Sequence, residues 1–186
     1  MVLLEGPARA PRVVDHRAIE LSDATVPTSR QPYHAVLRAK PGDAAQLERR
    51  LRRLVERVTQ RSLTALLREY RRQGRLVRGV ALVVGSVIDP TTIANDHIRA
   101  HALEGQLFRT ALERAARAGK LPCATHVERA LYDTAAARLR RPAWELKRAV
   151  TELGSEVTGP WRGEEKLAAL AAWLLLARSG RASRAH

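Results

Sequence analysis

The sequence predicts an α/β fold in which a mixed sheet is flanked by helices. Residues 76–88 form an apolar run rich in β-branched side chains, a composition typical of a strand that is buried on both faces. Asp89 and Pro90 then end this strand, and a helical pattern extends to about Gly119 before residues 121–129 predict another strand. A strand, a long helix and a second strand in this order indicate a βαβ unit, whose two strands run parallel.

The segments before this unit add two predicted strands and one long helix. Residues 1–11 contain a glycine and two prolines and are expected to form a flexible arm. Residues 12–21 and 33–39 each show a short strand pattern, separated by a loop dense in serine, threonine and proline. Leucine and valine then recur at helical spacing over residues 43–73, so a long helix is predicted there.

Three helices are predicted after the βαβ unit. The first two cover residues 130–139 and 142–153, and the last begins at Glu164. Residues 167–176 are apolar on every side, which predicts that the last helix is buried against the sheet. Residues 12–177 are therefore expected to form a single α/β domain, followed by a disordered basic tail over residues 178–186.

The composition limits the kinds of partner that this chain can have. A formal net charge of +14 favours a polyanion, although abundant arginine together with alanine also fits a GC-rich coding bias. The lone cysteine, Cys123, excludes an intramolecular disulfide and a metal site built from cysteines. No signal peptide is recognisable and every apolar segment is too short to cross a bilayer, so we expect a cytoplasmic protein without membrane contact.

Arginines concentrate on one face of the long helix predicted over residues 43–73. Acidic neighbours neutralise only part of this charge, so the face suits the phosphates of a nucleic acid, with a solvated surface as the alternative. Trp161, near the start of the last helix, fits a core position better than a base-stacking one. The candidate residues for contacting nucleic acid are Arg49, Arg50, Arg53, Arg57, Arg61, Arg162 and Lys166.

Three polar residues recur on one side of the helix that follows the central strand. His97, His101 and Glu104 are spaced i, i+4 and i+7, which places them within one sector of a helix. Such a set could present ligands to a divalent metal ion. A hydrogen-bonded network that ties the helix to its neighbours is the interpretation that the sequence favours, because it identifies no further ligand.

From Val36 onward, the order of elements resembles that of the ribonuclease H-like fold, and specifically of the RuvC-type Holliday-junction resolvases. The matching features are a strand ending at Ala39, a helix from Asp43, a central strand, a strand starting at Leu121-Pro122 and a final alanine-rich helix. This resemblance of layout covers about 150 residues and implies a ribonuclease H-like mixed sheet flanked by helices.

The resemblance also implies a metal site made of carboxylates. Enzymes of that family are similar to one another in using clustered carboxylates to hold two Mg²⁺ ions, which activate water. Carried over by position, it implies Asp15, Asp89, Glu164 and Glu165 as the ligands of Mg²⁺. The family's Asp-x-Gly turn does not begin at Asp15, and Asp89 lies beyond the expected place of the central-strand acid.

These observations predict a protein that binds or processes nucleic acid on a ribonuclease H-like scaffold, and a divergent Mg²⁺-dependent nuclease if its carboxylates converge. An alternative is a non-catalytic module whose arginine face docks nucleic acid or an acidic protein. A third hypothesis is a metal-dependent hydrolase that uses His97, His101 and Glu104. The sequence leaves open whether the protein is an enzyme.

Overall fold

The computed structural model describes residues 1–155 and 157–182, with side chains as far as Arg178. The chain is 60% helical, and the strands of the described part form two sheets of two strands each. The prediction of a ribonuclease H-like mixed sheet flanked by helices is therefore wrong, because neither sheet has a third strand. Among the described residues, no helix combines the length and the apolar character that a membrane crossing requires.

The two strands predicted early in the chain do not join a central sheet. Residues 33–39 lie mostly in a short helix instead, α1 (Pro32–Leu37), whose first position is occupied by a proline that suits a helix start. Residues 12–16 do form a strand, β2 (Arg12–His16), but it pairs antiparallel with β1 (Val2–Glu5). The segment expected to be a flexible arm thus supplies β1, which buries Leu4.

The parallel pairing of the βαβ unit is confirmed. Strands β3 (Val80–Val84) and β4 (Cys123–Val127) run parallel. The long helix between them in the sequence is α3 (Asp96–Ala118). It begins where Asn95 accepts a 3.0 Å hydrogen bond from the Ile98 N–H, which satisfies one of the unpaired N–H groups of the first turn.

The chain folds into two compact units. The first unit comprises Met1–Ala18, Arg78–Ser86 and the chain from Pro122 onward, and the second comprises Ile19–Val77 and Val87–Leu121. Both sheets belong to the first unit, together with α4 (Glu128–Leu139), α5 (Ala143–Glu152) and α6 (Gly163–Ala182). The second unit contains α1, α3 and α2 (Pro41–Arg72).

Helix α6 forms the centre of the first unit, as its apolar sequence predicts. It packs against β1, β3, α4 and α5, and the side chains of Leu170, Trp173 and Leu174 are fully buried. The indole N–H of Trp173 donates to the Ala8 carbonyl at 2.6 Å, so its one polar atom is satisfied. Because α6 extends to Ala182, part of the expected disordered tail is helical, whereas residues 183–186 lie outside the described residues.

Helix α2 organises the second unit. It is amphipathic, and its apolar face packs against α1 and α3, with Leu51, Val55 and Leu63 buried. Leu107 and Ala111 of α3 meet Val55 in this core. The opposite face of α2 carries the predicted arginines, all of which are exposed to solvent.

Thr59 of α2 is buried with its hydroxyl unsatisfied. Its Oγ1 has no hydrogen-bond partner among the described residues, and a buried polar group without a partner lowers stability. Valine has nearly the same shape and no hydroxyl, so Thr59→Val should raise the free energy of unfolding by about 1 kcal/mol. Urea denaturation of both proteins measures this difference. A variant that is less stable than the wild type would show that the hydroxyl is satisfied.

Candidate metal centre

Three histidines of the second unit meet at one point. His97 and His101 lie one turn apart on the same side of α3, and His34 comes from α1. One potential ligand nitrogen of each ring lies within 4.8 Å of those of the other two. In the described part of the chain, this is the one group of three or more His, Cys, Asp or Glu residues that could hold a metal ion.

The distances between the rings are close to those of a metal site. Nε2 of His34 lies 3.2 Å from Nδ1 of His97, and the three ring centroids are 4.3–4.8 Å apart. A tetrahedral ion with metal–nitrogen bonds of about 2.0–2.1 Å requires neighbouring nitrogens about 3.3 Å apart. The pair from His34 and His97 has about this separation, and the ligand nitrogens of all three rings lie within 4.8 Å of one another.

Glu104 fixes the orientation of His34. Its Oε1 accepts a 2.9 Å hydrogen bond from Nδ1 of His34 and a 3.2 Å bond from the backbone N–H of the same residue. Its Oε2 lies 3.8 Å from Nδ1 of His101. With Nδ1 of His34 protonated and held by the carboxylate, the lone pair of Nε2 points to the other two histidines. A carboxylate behind a histidine is a common arrangement at metal sites.

The cluster is closed on one side and open on the other. His34 and Glu104 are each 7% exposed, whereas His97 and His101 are exposed to solvent. Structural zinc sites surround the ion with four protein ligands, whereas catalytic sites use three and leave one position for water or substrate. Three histidines with an open side therefore match the catalytic arrangement.

The sequence identified part of this cluster. His97 and His101 come together as their spacing predicts, and Glu104 lies beside them, in contact with His34 rather than within the three-nitrogen set. His34 was not predicted to join the cluster, because residues 33–39 show a strand pattern in the sequence. The signal that could have corrected this is Pro32, which favours the first turn of a helix.

Of the three carboxylates proposed for the first unit, Asp15 and Glu165 contact other side-chain or backbone groups rather than a shared metal position. Asp15, in β2, forms a 2.7 Å ion pair with Arg17. Glu165 accepts a 2.8 Å hydrogen bond from the Arg162 N–H at the start of α6, and this bond lowers the pKa of its carboxyl. Glu164, the preceding residue, is exposed in the first turn of the same helix.

Asp89 belongs to the second unit and begins a short helical turn. Its carboxylate accepts a 2.9 Å hydrogen bond from the Thr91 N–H, and hydrogen bonding to Thr91 lowers the pKa of Asp89. In the described part of the chain, the four proposed carboxylates form no group of three ligands. The binding of Mg²⁺ therefore stays a prediction, without an assembled set of carboxylates to support it.

The proposed nucleic-acid residues lie on two separate surfaces. Those on α2 are exposed in the second unit, whereas Arg162 and Lys166 lie in the first unit at the start of α6. The indole N–H of Trp161 donates to the Val150 carbonyl at 2.8 Å and its side chain is partly buried, which favours the core position over base stacking. Contact with nucleic acid stays a prediction for all of these residues.

Comparisons of this chain with protein-family models, with curated proteins and with solved structures each find no match. No comparison therefore supports the ribonuclease H-like resemblance. The geometry of the cluster indicates its chemistry. Three imidazole nitrogens, with one carboxylate behind His34, face a position that solvent reaches.

Proposed function

We propose that this protein binds a divalent transition-metal ion, Zn²⁺ by preference, and uses it to activate water for hydrolysis. The observation that carries the proposal is the convergence of nitrogens from His34, His97 and His101, with Glu104 behind His34. Imidazole is a good ligand for Zn²⁺, Cu²⁺, Fe²⁺ and Ni²⁺, whereas Mg²⁺ requires oxygen ligands. The ligand chemistry therefore favours a transition metal over the Mg²⁺ predicted from the carboxylates.

The residues of the cluster supply what a hydrolytic metal site needs. Three neutral imidazoles leave the positive charge of the ion undiminished, and an ion held in this way lowers the pKa of a bound water to about 7. By accepting from Nδ1 of His34, Glu104 selects the tautomer of the neutral ring whose Nε2 lone pair can bind an ion, and it makes this nitrogen a stronger ligand. The exposed side of the cluster, at His97 and His101, gives water and substrate access to the remaining position.

A hydrogen-bonded network without metal is the competing explanation of the same contacts. In that case His34 Nε2 and His97 Nδ1 would share a hydrogen bond, and the cluster would only hold α1 against α3. The two explanations differ in one measurable property. A metal site binds one equivalent of ion tightly, whereas a network binds none.

The test is calorimetric titration of chelator-stripped protein with Zn²⁺. We expect one ion per chain, and His101→Ala should weaken binding by on the order of 100-fold or more, since even residues behind a ligand are worth about 10–100-fold. His101 is the residue of choice because its side chain is 54% exposed, so its removal leaves the fold intact. His126→Gln, in the first unit, is the control and should bind like the wild type.

The same proteins test the hydrolytic step. The Zn²⁺-loaded wild type should hydrolyse an activated phosphodiester or carboxylic ester, and chelation or His101→Ala should abolish this activity. Zn²⁺ affinity should also fall in acid, because protons compete for the ring nitrogens. Equal Zn²⁺ affinity in the wild type and His101→Ala would refute the site. Tight binding without hydrolysis of either probe would refute the catalytic role.

A further inference from the structure

A groove lined by basic side chains runs along the exposed face of α2, and nothing in the metal centre accounts for it. It is shallow and largely open to solvent, and all of its lining residues come from this one helix. They are Arg53, Glu56, Arg57, Gln60, Arg61, Thr64, Ala65 and Arg68. We infer that this groove binds the phosphate backbone of duplex DNA, a role that does not depend on the proposed metal site.

The positive charge in the groove is largely uncompensated. None of its four arginines forms an ion pair with a described residue. The one carboxylate in the groove, Glu56, is occupied by a 2.6 Å ion pair with Arg114 of α3. Hydrogen bonds from Thr25 are the main reason that the pKa of Asp23 is lowered, and the charges of Arg61 and Arg57 lower it further. The groove therefore presents a net positive surface to a ligand.

The spacing of the arginines suits an extended ligand with repeated negative charges. Arg53, Arg57 and Arg61 follow one another at four-residue intervals, so their Cα atoms are about 6 Å apart along the helix axis. The row from Arg53 to Arg68 is about 22 Å long. Like charges at this spacing weaken a helix by a few tenths of a kcal/mol per pair, and bound phosphates would relieve the repulsion.

Neutral hydrogen-bond donors alternate with the charges. Gln60 and Thr64 lie between the arginines of the groove, where the Gln60 amide donates to the Thr64 hydroxyl oxygen at 3.1 Å and keeps a second N–H for a ligand. Side chains of both kinds commonly contact phosphate and sugar oxygens in protein–DNA complexes. Such contacts carry no sequence information, so we expect the groove to bind DNA of any sequence.

Duplex DNA fits this surface better than the other nucleic acids. Single strands are usually held by bases stacked on aromatic side chains, and no aromatic residue lines the groove. The major groove of duplex RNA is too narrow for side chains to read, whereas that of B-form DNA is about 12 Å wide and admits an α-helix. The arginine row lies on the outer face of a continuous helix of 32 residues, and such a helix can lie along the major groove of B-form DNA with its arginines toward the bordering phosphates.

The test is fluorescence anisotropy with a labelled 30-base-pair DNA duplex at 50 and 200 mM salt. Four phosphate contacts predict a slope of about −3.5 in log K against log salt, which is roughly a 100-fold loss of affinity between these concentrations. The variant Arg53→Gln, Arg57→Gln, Arg61→Gln, Arg68→Gln should flatten the slope by about 3–4 and lose most binding at 50 mM salt. Circular dichroism checks that it remains folded.

A second variant serves as the control and removes four positive charges outside the groove. It carries Arg71→Gln, Arg72→Gln, Arg117→Gln and Arg129→Gln, all at exposed positions outside the groove. If the groove is the binding surface, this control keeps its affinity within about threefold. Equal losses in the two variants would overturn the proposal in favour of general charge attraction. Absence of duplex binding at 50 mM salt would also overturn it, as would tighter binding of single-stranded DNA or duplex RNA.

Discussion

Replacing Glu104 by alanine should lower the free energy of unfolding by about 3 kcal/mol, because two buried hydrogen bonds to His34 are lost. It should also weaken Zn²⁺ binding by about 10–100-fold, since the carboxylate orients His34 and strengthens it as a ligand. Both effects follow from the same contact, because His34 and Glu104 are almost fully buried and water cannot replace the missing acceptor. Urea denaturation of the metal-free protein and calorimetric titration with Zn²⁺ measure them separately.

The variant Glu104→Gln separates the structural role of this residue from its effect on the metal. The amide oxygen of glutamine can still accept from both N–H groups of His34, so stability should change by about 1 kcal/mol or less. Zn²⁺ affinity should nevertheless fall by about 10-fold, because the negative charge behind the ligand is gone.

A carboxylate of the same helix outside the cluster provides the control. Glu113 lies next to Arg109 rather than the histidines, and Glu113→Gln should leave the affinity for Zn²⁺ unchanged. If Glu104→Gln also binds Zn²⁺ like the wild type, the carboxylate only holds α1 against α3. The proposal that it tunes a metal ligand would then be wrong.

The sequence predicted the features that depend on neighbouring residues. The apolar periodicity of α2 predicted a helix and the face that it buries, and the apolar sequence of α6 predicted a helix that is buried on every side. The β-branched run over residues 76–88 also predicted a strand, but only Val80–Val84 form it, and Leu76, Val87 and Ile88 are exposed rather than buried. These patterns repeat over ten or more residues, so the signal is strong enough to identify an element without knowing what it packs against.

The pairing of strands was predictable only where a connection implied it. The βαβ pattern indicated that β3 and β4 run parallel, and they do. No pattern within β2 showed that it would pair with β1 rather than extend the sheet of β3 and β4, because either pairing can bury an apolar side chain of this short strand. The ribonuclease H-like prediction failed at this point, since it relied on the order of the elements along the chain.

The candidate site was half predictable for a similar reason. His97 and His101 are neighbours on one helix, so their spacing alone brings them together. His34 is 63 residues away from His97 and lies on a helix of six residues, too short to show periodicity. The position of His34 in the cluster depends on how α1 packs against α3. The hydrogen-bonded network that the sequence favoured does include Glu104, which bonds to His34 of α1, but this partner could not be predicted.

Replacing Gly154 by alanine should destabilise the first unit by about 2–3 kcal/mol, the cost expected when an extra carbon is forced into a packed site. A Cβ atom at this position would overlap the Trp161 ring, lying 2.6 Å from Nε1 and still closer to Cδ1 and Cγ. The ring cannot move away freely, because its N–H is hydrogen-bonded to the Val150 carbonyl at 2.8 Å. The melting temperature should fall by about 5–10 °C.

A double-mutant cycle with Trp161→Ala shows whether this overlap is the cause. Gly154→Ala should cost little in a protein that already lacks the indole, so the coupling energy should be about 2 kcal/mol. Gly163→Ala is the control, since a Cβ atom there meets nothing within 4 Å. If Gly154→Ala is equally harmful without the indole, the backbone at Gly154 and not the ring of Trp161 limits this position.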